Sequence, residues 1–348
     1  MIKTPAISHD VSVVIPSLIR TPSFQAITRL NRAIMSILEQ DFPGRFEIVL
    51  VDDHSPEPIQ FLLKNTGFHY DADLRIIRMP RSNGLVQALN TGIMAAKYDL
   101  IARLDDDDIW LPGKIAKQLH RFAHDPDLSI IATSMRLVFE DGRPPEDHIR
   151  PDGWSRILHF FCDVGCPFAH GSILARKDVF RVLGGYPQTA EVSHCEDYAL
   201  WANWVRFFKP GMIEEIFYDY TVSPTSVSSV NAQRNQRISD KIKSEFKLLE
   251  VNDLTPTAIY EIAGILGVSI LQAGVICFRL WHYNATATLP EAMLTPLRSL
   301  LPDRNVRPLA TPGNRRVLTA VDLLKGLGEQ GITPAINAAR MVTVSVGS

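Results

Sequence analysis

The sequence predicts an α/β protein whose sheet is doubly wound and mostly parallel, followed by a helical extension. Short apolar, β-branched runs alternate with segments of helical periodicity in the first third of the chain. Two acidic clusters stand directly after two of these apolar runs. Parallel strands joined by helices bring such clusters to one edge of the sheet, which is where ligands bind in this class of fold.

Composition limits the kinds of protein this can be. The chain has 348 residues, of which 46% are hydrophobic and 21% charged, so it has enough apolar material for a buried core. At about 100–200 residues per domain, this length allows one large domain with an appendage or two modest domains. A formal net charge of -2 gives no general attraction for polyanions, and we therefore expect no nucleic-acid partner.

The first part of the chain alternates between strand and helix. Apolar runs that end at a proline, a turn residue or an acid predict strands over residues 11–15, 46–51, 74–79 and 100–104. Apolar residues at helical spacing predict helices over residues 24–38, 59–63 and 83–96. This order is typical of right-handed parallel crossovers.

The pattern becomes less regular in the second part. The predicted elements are a strand over residues 130–138, a turn over 141–145, a strand or short helix over 170–174, and helices over 178–183 and 196–208. A loop rich in Ser and Thr precedes a basic helix over residues 233–249, and prolines divide the remainder into further helices. We therefore expect residues 226–348 to form a helical C-terminal extension.

The chain carries few signs of export. Four dispersed cysteines and an N-terminus without an apolar leader favour a reducing, cytoplasmic location. Residues 262–278 are apolar over about the minimum length that spans a bilayer, but Ser269 and Gln272 interrupt them. We expect a buried or interface-lying helix here, with a membrane-spanning helix as the alternative. Together with the basic helix, this segment suggests peripheral contact with the inner face of the cell membrane, against a solvated helical face.

Four consecutive aspartates follow the fourth predicted strand. Asp105, Asp106, Asp107 and Asp108 repel one another, and neighbours of like charge need a positive partner. Carboxylates favour Mg²⁺ or Mn²⁺, which commonly take one or two protein ligands and complete their coordination with substrate phosphates. The alternative is a solvated turn whose acids cap the following helix.

Asp52 and Asp53 end the second predicted strand in the same layer. Carboxylates at that position can accept hydrogen bonds from a base or from ribose hydroxyls, although a simple Asx turn is the alternative. The chain contains neither G-x-G-x-x-G nor G-x-x-x-x-G-K-[ST], so no dinucleotide loop or P-loop is available. Phosphate charge would have to be met by a metal ion.

Five ordered motifs make residues 11–208 resemble the family 2 glycosyltransferases, which have the Rossmann-like GT-A fold. The motifs are VSVVIPS, FEIVLVDDHS, RSNGLVQALNTGI, ARLDDDDIWLPGKIAKQ, and GSILARKDVFRVLGGYP with CEDYALWANW. The resemblance implies a nucleotide-diphosphate sugar donor, a divalent cofactor (Mn²⁺ or Mg²⁺), and inverting transfer. It implies a catalytic domain over residues 1–225, with a nucleotide-sugar half over 1–110 and an acceptor half over 111–225.

Motif by motif, the resemblance assigns roles to individual residues. Those implied to contact the base or ribose are Pro16, Ser17, Asp52, Asp53, Asn83 and Gly84. In the acidic run, Asp105 and Asp106 are implied to bind the nucleotide sugar, and Asp107 is implied to hold the metal. Asp108 is an additional family acid, which we place on the acceptor side.

The resemblance also assigns the general base. Asp197 matches this residue, with Glu196 beside it, and the alternative is that both acids cap the helix that they begin. Two departures from the family pattern stand out. The early P-x-Y-N start is replaced by PSLI, and Ser223 occupies the place of a late His that can serve at the diphosphate side or as a metal ligand.

Three further side chains are candidates for the acceptor side. His170 and His194 flank the region of the proposed base, and Trp110 could stack on a sugar face. A hydrogen-bonded packing role is the alternative for each histidine. Trp201 and Trp204 stand at helical spacing, and we expect them in the core.

Together these observations favour inverting transfer of a sugar, with a UDP-linked donor preferred, onto a saccharide or lipid-linked saccharide acceptor. One alternative is a sugar-nucleotide nucleotidyltransferase, which would be expected to carry an early Gly-rich phosphate loop; residues 16–20 are not one. Another is a non-catalytic carbohydrate-binding or scaffold protein that retains the fold. The intact acids Asp105, Asp107 and Asp197 argue against it.

Overall fold

A computed structural model gives the fold of the chain. It describes residues 9–278 except 67, 69, 71–72, 225, 227–229, 251–255, 257–258, 261–262, 265–266 and 276. The helices expected after residue 278 lie outside the described residues.

In the described part of the chain, nine strands form one sheet. They are β1 (Val11–Ser17), β2 (Phe46–Asp52), β3 (Asp73–Arg78), β4 (Leu100–Arg103), β5 (Ile109–Trp110), β6 (Ile130–Phe139), β7 (Glu146–His148), β8 (Leu174–Arg176) and β9 (Pro210–Val222). The order is β3-β2-β1-β4-β8-β6-β9-β5, and β7 pairs with β6. The four strands from β3 to β4 are parallel. Beyond β4 the sheet is mixed, because β8 is antiparallel to both of its neighbours whereas β6 and β9 are parallel.

Helices cover both faces of the sheet. They are α1 (Phe24–Leu38), α2 (Ile59–Asn65), α3 (Leu85–Ala95), α4 (Lys114–His124), α5 (Trp154–Asp163), α6 (Lys177–Leu183), α7 (Glu196–Phe207) and α8 (Ala232–Glu250). The apolar residues of α1, α2 and α4 share one core with alternate strand residues such as Val13. Those of α3 and α5–α8 share the other core with residues such as Val14. The predicted doubly wound α/β fold is therefore confirmed.

Local chemistry explains the helix that follows β1. The Ser23 hydroxyl accepts a hydrogen bond from the Ala26 N–H at 3.1 Å and caps the N-terminus of α1. Buried residues at helical spacing, including Leu30, Ile34 and Ile37, then hold α1 against the sheet. The sequence pattern predicts this helix with the same bounds that the structure gives.

The acids after β4 do not cap a helix. Gly113 is the N-cap residue of α4, with a φ of 87° that favours glycine, and it lies five residues beyond Asp108. The capping alternative for the acidic run is therefore wrong. For α7 the N-cap residue is Cys195, and Glu196 and Asp197 lie in the first turn.

The apolar segment near residue 270 packs on the domain. The Phe278 ring lies 5.4 Å from that of Phe207 at the end of α7, and the Ile270 N–H donates to Asp127 Oδ1 at 3.0 Å. Among the described residues, no helix combines the length and the apolar character that crossing a membrane requires. The described part of this segment thus agrees with the predicted buried helix.

Candidate active site

The acidic loop lies at the carboxyl ends of the parallel strands. It follows β4 directly, beside the ends of β1 and β2, because these strands are neighbours in the parallel part of the sheet. Two of its acids are held by residues at strand ends. Asp105 accepts two hydrogen bonds from the guanidinium of Arg103, and Asp106 accepts one from the hydroxyl of Ser17. Both donors, Arg103 and Ser17, are therefore the last residues of neighbouring strands, beside the acidic loop.

Strand β9 holds the other end of the loop. The carboxylate of Asp108 accepts hydrogen bonds from the Tyr218 hydroxyl and from the Thr221 N–H, the latter at 2.7 Å. The Thr221 hydroxyl donates to the backbone oxygen of Asp107 at 2.6 Å. The carboxylate of Asp107 has no hydrogen bond to any other residue that the structure describes. Asp107 is therefore the loop acid that remains available to a ligand.

Burial and mutual repulsion make the loop acids hard to ionise. Burial raises the pKa of Asp106 to about 6 and that of Asp107 to about 7, and the negative charge of Asp105 adds to the shift of both. The same causes hold the pKa of Asp108 well above its usual range. A cation beside Asp107 would offset this repulsion.

The donor set fits a single-carboxylate metal site. Within the described part of the chain, no group of three or more His, Cys, Asp or Glu side chains has the arrangement of a metal centre. Asp107 offers one hard oxygen ligand, which is what Mg²⁺ or Mn²⁺ needs when substrate phosphates supply the others. The residues present therefore fit a divalent ion that binds together with a diphosphate.

Asp52, which ends β2, and Asp53, which follows it, both form hydrogen bonds within the protein. Asp52 accepts hydrogen bonds from the N–H groups of Ser55 and Ile59 and pairs with Arg78 at 2.5 Å. Because the Ser55 N–H, three residues on, donates to its carboxylate, Asp52 closes the turn that was the alternative to nucleotide binding.

Asp53 fixes the loop that leads into α3. Its carboxylate accepts hydrogen bonds from the N–H groups of Asn83 and Gly84 at 2.9 and 3.0 Å, and from the Ser82 hydroxyl. Asn83 and Gly84 are exposed beside it, whereas Pro16 is buried in β1. The structure thus brings Asp53, Asn83 and Gly84 together, and their contact with a nucleoside stays a prediction.

Arg103 connects the acidic loop to the proposed base. The side chain is buried, and its Nε has no partner among the described residues. Its positive charge lowers the pKa of Asp106 and Asp107 on one side, and of Glu196 and Asp197 on the other. The charge of Arg103 therefore acts on both of the acidic groups that the sequence predicts at one site.

Asp197 has the properties of a proton acceptor at neutral pH. Burial raises its pKa to about 7, and the neighbouring Glu196 contributes in the same direction. Its Oδ1 accepts the N–H of Tyr198 at 2.7 Å, which orients the carboxyl within the first turn of α7. Burial also raises the pKa of Glu196. A base needs a pKa near the working pH, and Asp197 meets that condition.

The acceptor-side candidates differ in their surroundings. His170 Nε2 lies 2.8 Å from the Tyr186 hydroxyl, and burial, followed by the charge of Arg103, holds the pKa of this imidazole well below its usual range. His194 is exposed, with a φ of 69°. Trp110 is 1% exposed and donates to the Gly171 oxygen, so its ring packs in the core. Trp201 and Trp204 are fully buried, as predicted.

Sequence reasoning does not find three of the site's residues. Arg103 lies inside an apolar strand pattern, and Tyr218 lies on a strand that the pattern does not reveal. Tyr186 follows the glycine pair that ends α6. A charged residue in the last position of a buried strand, two residues before an acidic run, is the one signal that identifies Arg103.

Comparisons with known proteins show the family to which the chain belongs. The sequence profile described as Glycosyl transferase family 2 matches residues 12–184. An uncharacterized glycosyltransferase of Haemophilus influenzae is 30% identical over 256 residues, which cover 72% of this chain and 85% of that protein. The chain belongs to glycosyltransferase family 2, a family of enzymes, as its motifs predict.

Two other relatives match smaller parts of this chain. The putative glycosyltransferase EpsE of Bacillus subtilis is 31% identical over 182 residues, which are 52% of this chain and 63% of that protein. An Escherichia coli protein, UDP-Glc:alpha-D-GlcNAc-diphosphoundecaprenol beta-1,3-glucosyltransferase WfgD, is 29% identical over 98 residues, covering 28% of this chain and 37% of its own. The match thus spans less than two thirds of the length of each of these two relatives.

A solved structure shares the fold. The mannosyltransferase PcManGT from Pyrobaculum calidifontis, in complex with GDP-Man and Mn²⁺, has a TM-score of 0.51 and 16% sequence identity. The alignment covers 97% of this chain and 87% of that one. At this level of identity the similarity shows the fold alone, and it confirms the expected GT-A architecture.

Proposed function

We propose that this protein transfers a sugar from a nucleoside-diphosphate donor to a hydroxyl group of a saccharide acceptor, with inversion at the anomeric carbon. Membership of glycosyltransferase family 2 supports the class of reaction. The observation that carries the assignment to this site is the position of Arg103. Its charge acts both on the acidic loop and on the carboxyl groups of Glu196 and Asp197.

Asp197 is the proposed general base. The acceptor oxygen forms its bond to the anomeric carbon while the bond from that carbon to the diphosphate oxygen breaks. The acceptor proton moves to the carboxylate of Asp197, and the nucleoside diphosphate leaves with the bonding electrons. Attack from the face opposite the leaving group inverts the configuration. A pKa near 7 lets Asp197 be ionised before the reaction and protonated after it.

Asp107 is the proposed metal ligand, because the other three loop acids are engaged by Arg103, Ser17 and strand β9. A bound Mn²⁺ or Mg²⁺ would neutralise the charge that develops on the departing diphosphate. The complex of PcManGT with GDP-Man and Mn²⁺ supports this choice of ion.

The donor and acceptor are proposed from the relatives. The name of WfgD specifies UDP-glucose as donor and a diphosphoundecaprenol-linked sugar as acceptor. We therefore extend the proposal to a UDP-sugar donor and a lipid-linked saccharide acceptor. The reaction would then take place at the cytoplasmic face of the cell membrane, where a lipid-linked substrate and a nucleotide sugar meet.

Donor turnover tests the proposal directly. The purified protein is incubated with UDP-, GDP- and dTDP-sugars, with and without Mn²⁺, and release of the nucleoside diphosphate is measured. We expect turnover of one donor class that requires the metal ion. Asp107→Asn is expected to lose at least about a hundredfold in rate, since one charge-stabilising group typically contributes that much. The matched control is Asp147→Asn, an exposed acid paired with Arg136.

Two outcomes contradict the proposal. Equal rates for wild type and Asp107→Asn would remove Asp107 as the metal ligand. Binding of a nucleotide sugar, seen as a rise in Tm, without any turnover would favour the non-catalytic carbohydrate-binding alternative.

A further inference from the structure

His170 and Tyr186 form a hydrogen-bonded pair that the proposed mechanism does not use. The imidazole Nε2 lies 2.8 Å from the Tyr186 hydroxyl, and the two ring centroids are 5.1 Å apart. Tyr186 is 2% exposed, whereas the imidazole is half-buried, so a ligand can reach it. The other ring nitrogen of His170, Nδ1, forms no hydrogen bond to any residue that the structure describes. One nitrogen of a fixed imidazole is therefore available to a substrate.

The fold holds Tyr186 in place from behind. Its backbone N–H donates to Oδ1 of Asn90 in α3, and its backbone oxygen accepts from Nδ2 of the same side chain, both at 2.9 Å. Gly185, just before it, has a φ of 76° and passes so close to Asn90 that an added Cβ would lie 2.5 Å from Oδ1. Because its backbone is fixed in this way, Tyr186 can orient the imidazole of His170.

On one side the pair borders the acidic loop. Gly171 follows His170, and a Cβ added to it would lie 2.5 Å from the Tyr218 hydroxyl. The same hydroxyl donates to the carboxylate of Asp108. The Gly171 oxygen accepts a hydrogen bond from Trp110 Nε1 at 2.8 Å, which fixes the backbone here. His170 is therefore one residue away from a direct contact with a side chain that holds the acidic loop.

On the other side the pair borders the helix of the proposed base. The ring centroid of Trp201 lies 6.2 Å from that of His170 and 6.2 Å from that of Tyr186. Trp201 follows Asp197 by four residues in α7, and residues four apart lie on the same face of a helix. The charges of Arg103 and Asp197 both act on Tyr186. The pair thus packs against the face of α7 that carries Asp197.

The imidazole of His170 is suited to a neutral polar ligand. Burial, followed by the charge of Arg103, holds its pKa well below the usual range, so the ring is uncharged at neutral pH. A neutral imidazole has one N–H group and one acceptor nitrogen, and Tyr186 occupies one of the two. A sugar hydroxyl both donates and accepts, so it fits the remaining nitrogen in either tautomer. An uncharged ring also adds no repulsion to an anomeric carbon that becomes positive in the transition state.

We propose that His170 binds a hydroxyl group of the transferred sugar, with Tyr186 as the positioning residue that holds the imidazole. The inference rests on the proposed function, in which the anomeric carbon lies between the diphosphate at Asp107 and the acceptor hydroxyl at Asp197. A side chain between the acidic loop and this face of α7 meets the sugar there. His170 is thus a specificity-determining residue for the donor sugar.

Binding of nucleotides with and without a sugar tests this without any turnover. UDP, UDP-glucose, UDP-galactose, UDP-N-acetylglucosamine, GDP and GDP-mannose are titrated into the protein with Mn²⁺, and Kd is measured by calorimetry. We expect wild type to bind at least one of the nucleotide sugars. In His170→Phe, the Kd of that nucleotide sugar is expected to rise about tenfold, as for the loss of one hydrogen bond, while the Kd of its nucleoside diphosphate stays unchanged.

Three further variants separate a sugar contact from a general structural role. Tyr186→Phe removes only the hydroxyl and is expected to weaken the nucleotide sugar less than His170→Phe does, again without changing the Kd of the nucleoside diphosphate. His170→Gln keeps a donor and an acceptor and is expected to recover part of the loss. The matched control is His159→Phe, which replaces an exposed histidine of α5 and is expected to bind every nucleotide as wild type does. Should His170→Phe fail to fold, Tyr186→Phe and His170→Gln take its place.

Two results overturn the inference. One is a wild type that binds none of the nucleotide sugars. The other is a His170→Phe variant whose Kd values for the nucleotide sugar and the nucleoside diphosphate change by the same factor, or do not change at all.

Donor turnover separates this inference from the proposed function. A wild type that binds a nucleotide sugar without turning it over, and loses that binding selectively in His170→Phe, contradicts the proposed function and leaves the sugar contact standing. A wild type that turns over its donor, with the same Kd values in His170→Phe, contradicts the sugar contact and leaves the proposed function standing.

Discussion

At the scale of single residues, the site depends on how buried charge is distributed. Arg103 gives its two terminal nitrogens to Asp105 and still lowers the pKa of Asp197. Asp197 nevertheless has a pKa of about 7, because burial outweighs the attraction of this arginine. An ionised Asp197 therefore costs folding free energy at the pH where the enzyme would use it.

Replacing Asp197 by asparagine is expected to abolish transfer and to stabilise the protein. In the folded state the carboxyl pKa is raised from 3.8 to about 7, so wild type loses stability as the pH rises between these values. The free energy of unfolding of Asp197→Asn, measured in urea, is expected to exceed that of wild type by an amount that grows from pH 5 to about 7 and then levels off. On the order of 2 kcal/mol is expected at pH 8.

Asp147→Asn is the control for that measurement. A hydrogen bond from Arg136 lowers the pKa of Asp147, so the stability difference between Asp147→Asn and wild type is expected to change with pH in the opposite direction. The transfer rate of wild type is expected to rise with pH through about 7, as Asp197 ionises. A stability difference for Asp197→Asn that does not change with pH would contradict the buried, protonated carboxyl.

Sequence reasoning locates the acids of the site but not all of their partners. The acidic run stands out because four like charges follow an apolar strand. The pairing of Asp53 with Asn83 and Gly84 is invisible in the sequence, since it joins residues about thirty positions apart. Such contacts depend on how β2 and α3 pack, which local patterns do not encode.

At the scale of elements, β9 decides the shape of the acidic loop. It pairs with β6 over its length and with β5, the short strand that begins directly after Asp108. The loop is thereby held at both ends, by Arg103 on β4 and by Tyr218 on β9. A ligand that binds Asp107 meets a loop that is already fixed.

Removing the Tyr218 hydroxyl is expected to loosen this arrangement. Tyr218→Phe leaves the buried carboxyl of Asp108 with the Thr221 N–H and without the hydroxyl, at a cost of about 2 kcal/mol in the free energy of unfolding. The Mn²⁺ concentration that gives half-maximal donor turnover, measured by metal titration, is expected to rise several-fold.

The control is Tyr70→Phe, which removes a hydroxyl that donates to Asn31 at 2.9 Å, far along the chain from the acidic loop. It is expected to leave the metal requirement unchanged. If Tyr218→Phe also leaves it unchanged, β9 does not position the loop for the metal.

The elements that sequence patterns miss are missed for different physical reasons. Strand β9 begins with Pro-Gly and alternates poorly, because its first four residues are all buried and its later ones are mostly half-exposed. Helices α4 and α5 lack side-chain caps and begin after glycines with positive φ. The parallel half is easier to predict, since strands buried on both faces give continuous apolar runs.

At the scale of the whole molecule, the segment near residue 274 is part of the same hydrophobic core as α7. Ala273 and Cys277 are buried in the same cluster as Phe207 and Phe208 of the α7 end. The Gly274 backbone approaches the Phe207 oxygen so closely that an added Cβ would lie 2.2 Å from it. That oxygen belongs to the backbone and cannot rotate away, so only glycine allows this contact.

Gly274→Ala is therefore expected to separate this segment from α7. The separation would expose Phe207 and its neighbours, and we expect the free energy of unfolding to fall by about 2–3 kcal/mol, with increased binding of a hydrophobic dye. Gly264→Ala is the matched control, because it lies in the same part of the chain, in helical conformation, and its added Cβ meets no described residue beyond its own helix within 4 Å. It is expected to be neutral or slightly stabilising, since alanine favours a helix more than glycine does. Equal stability of the two variants would mean that the segment does not support the domain in solution, and the buried helix would then have to be reconsidered as a surface that meets the membrane.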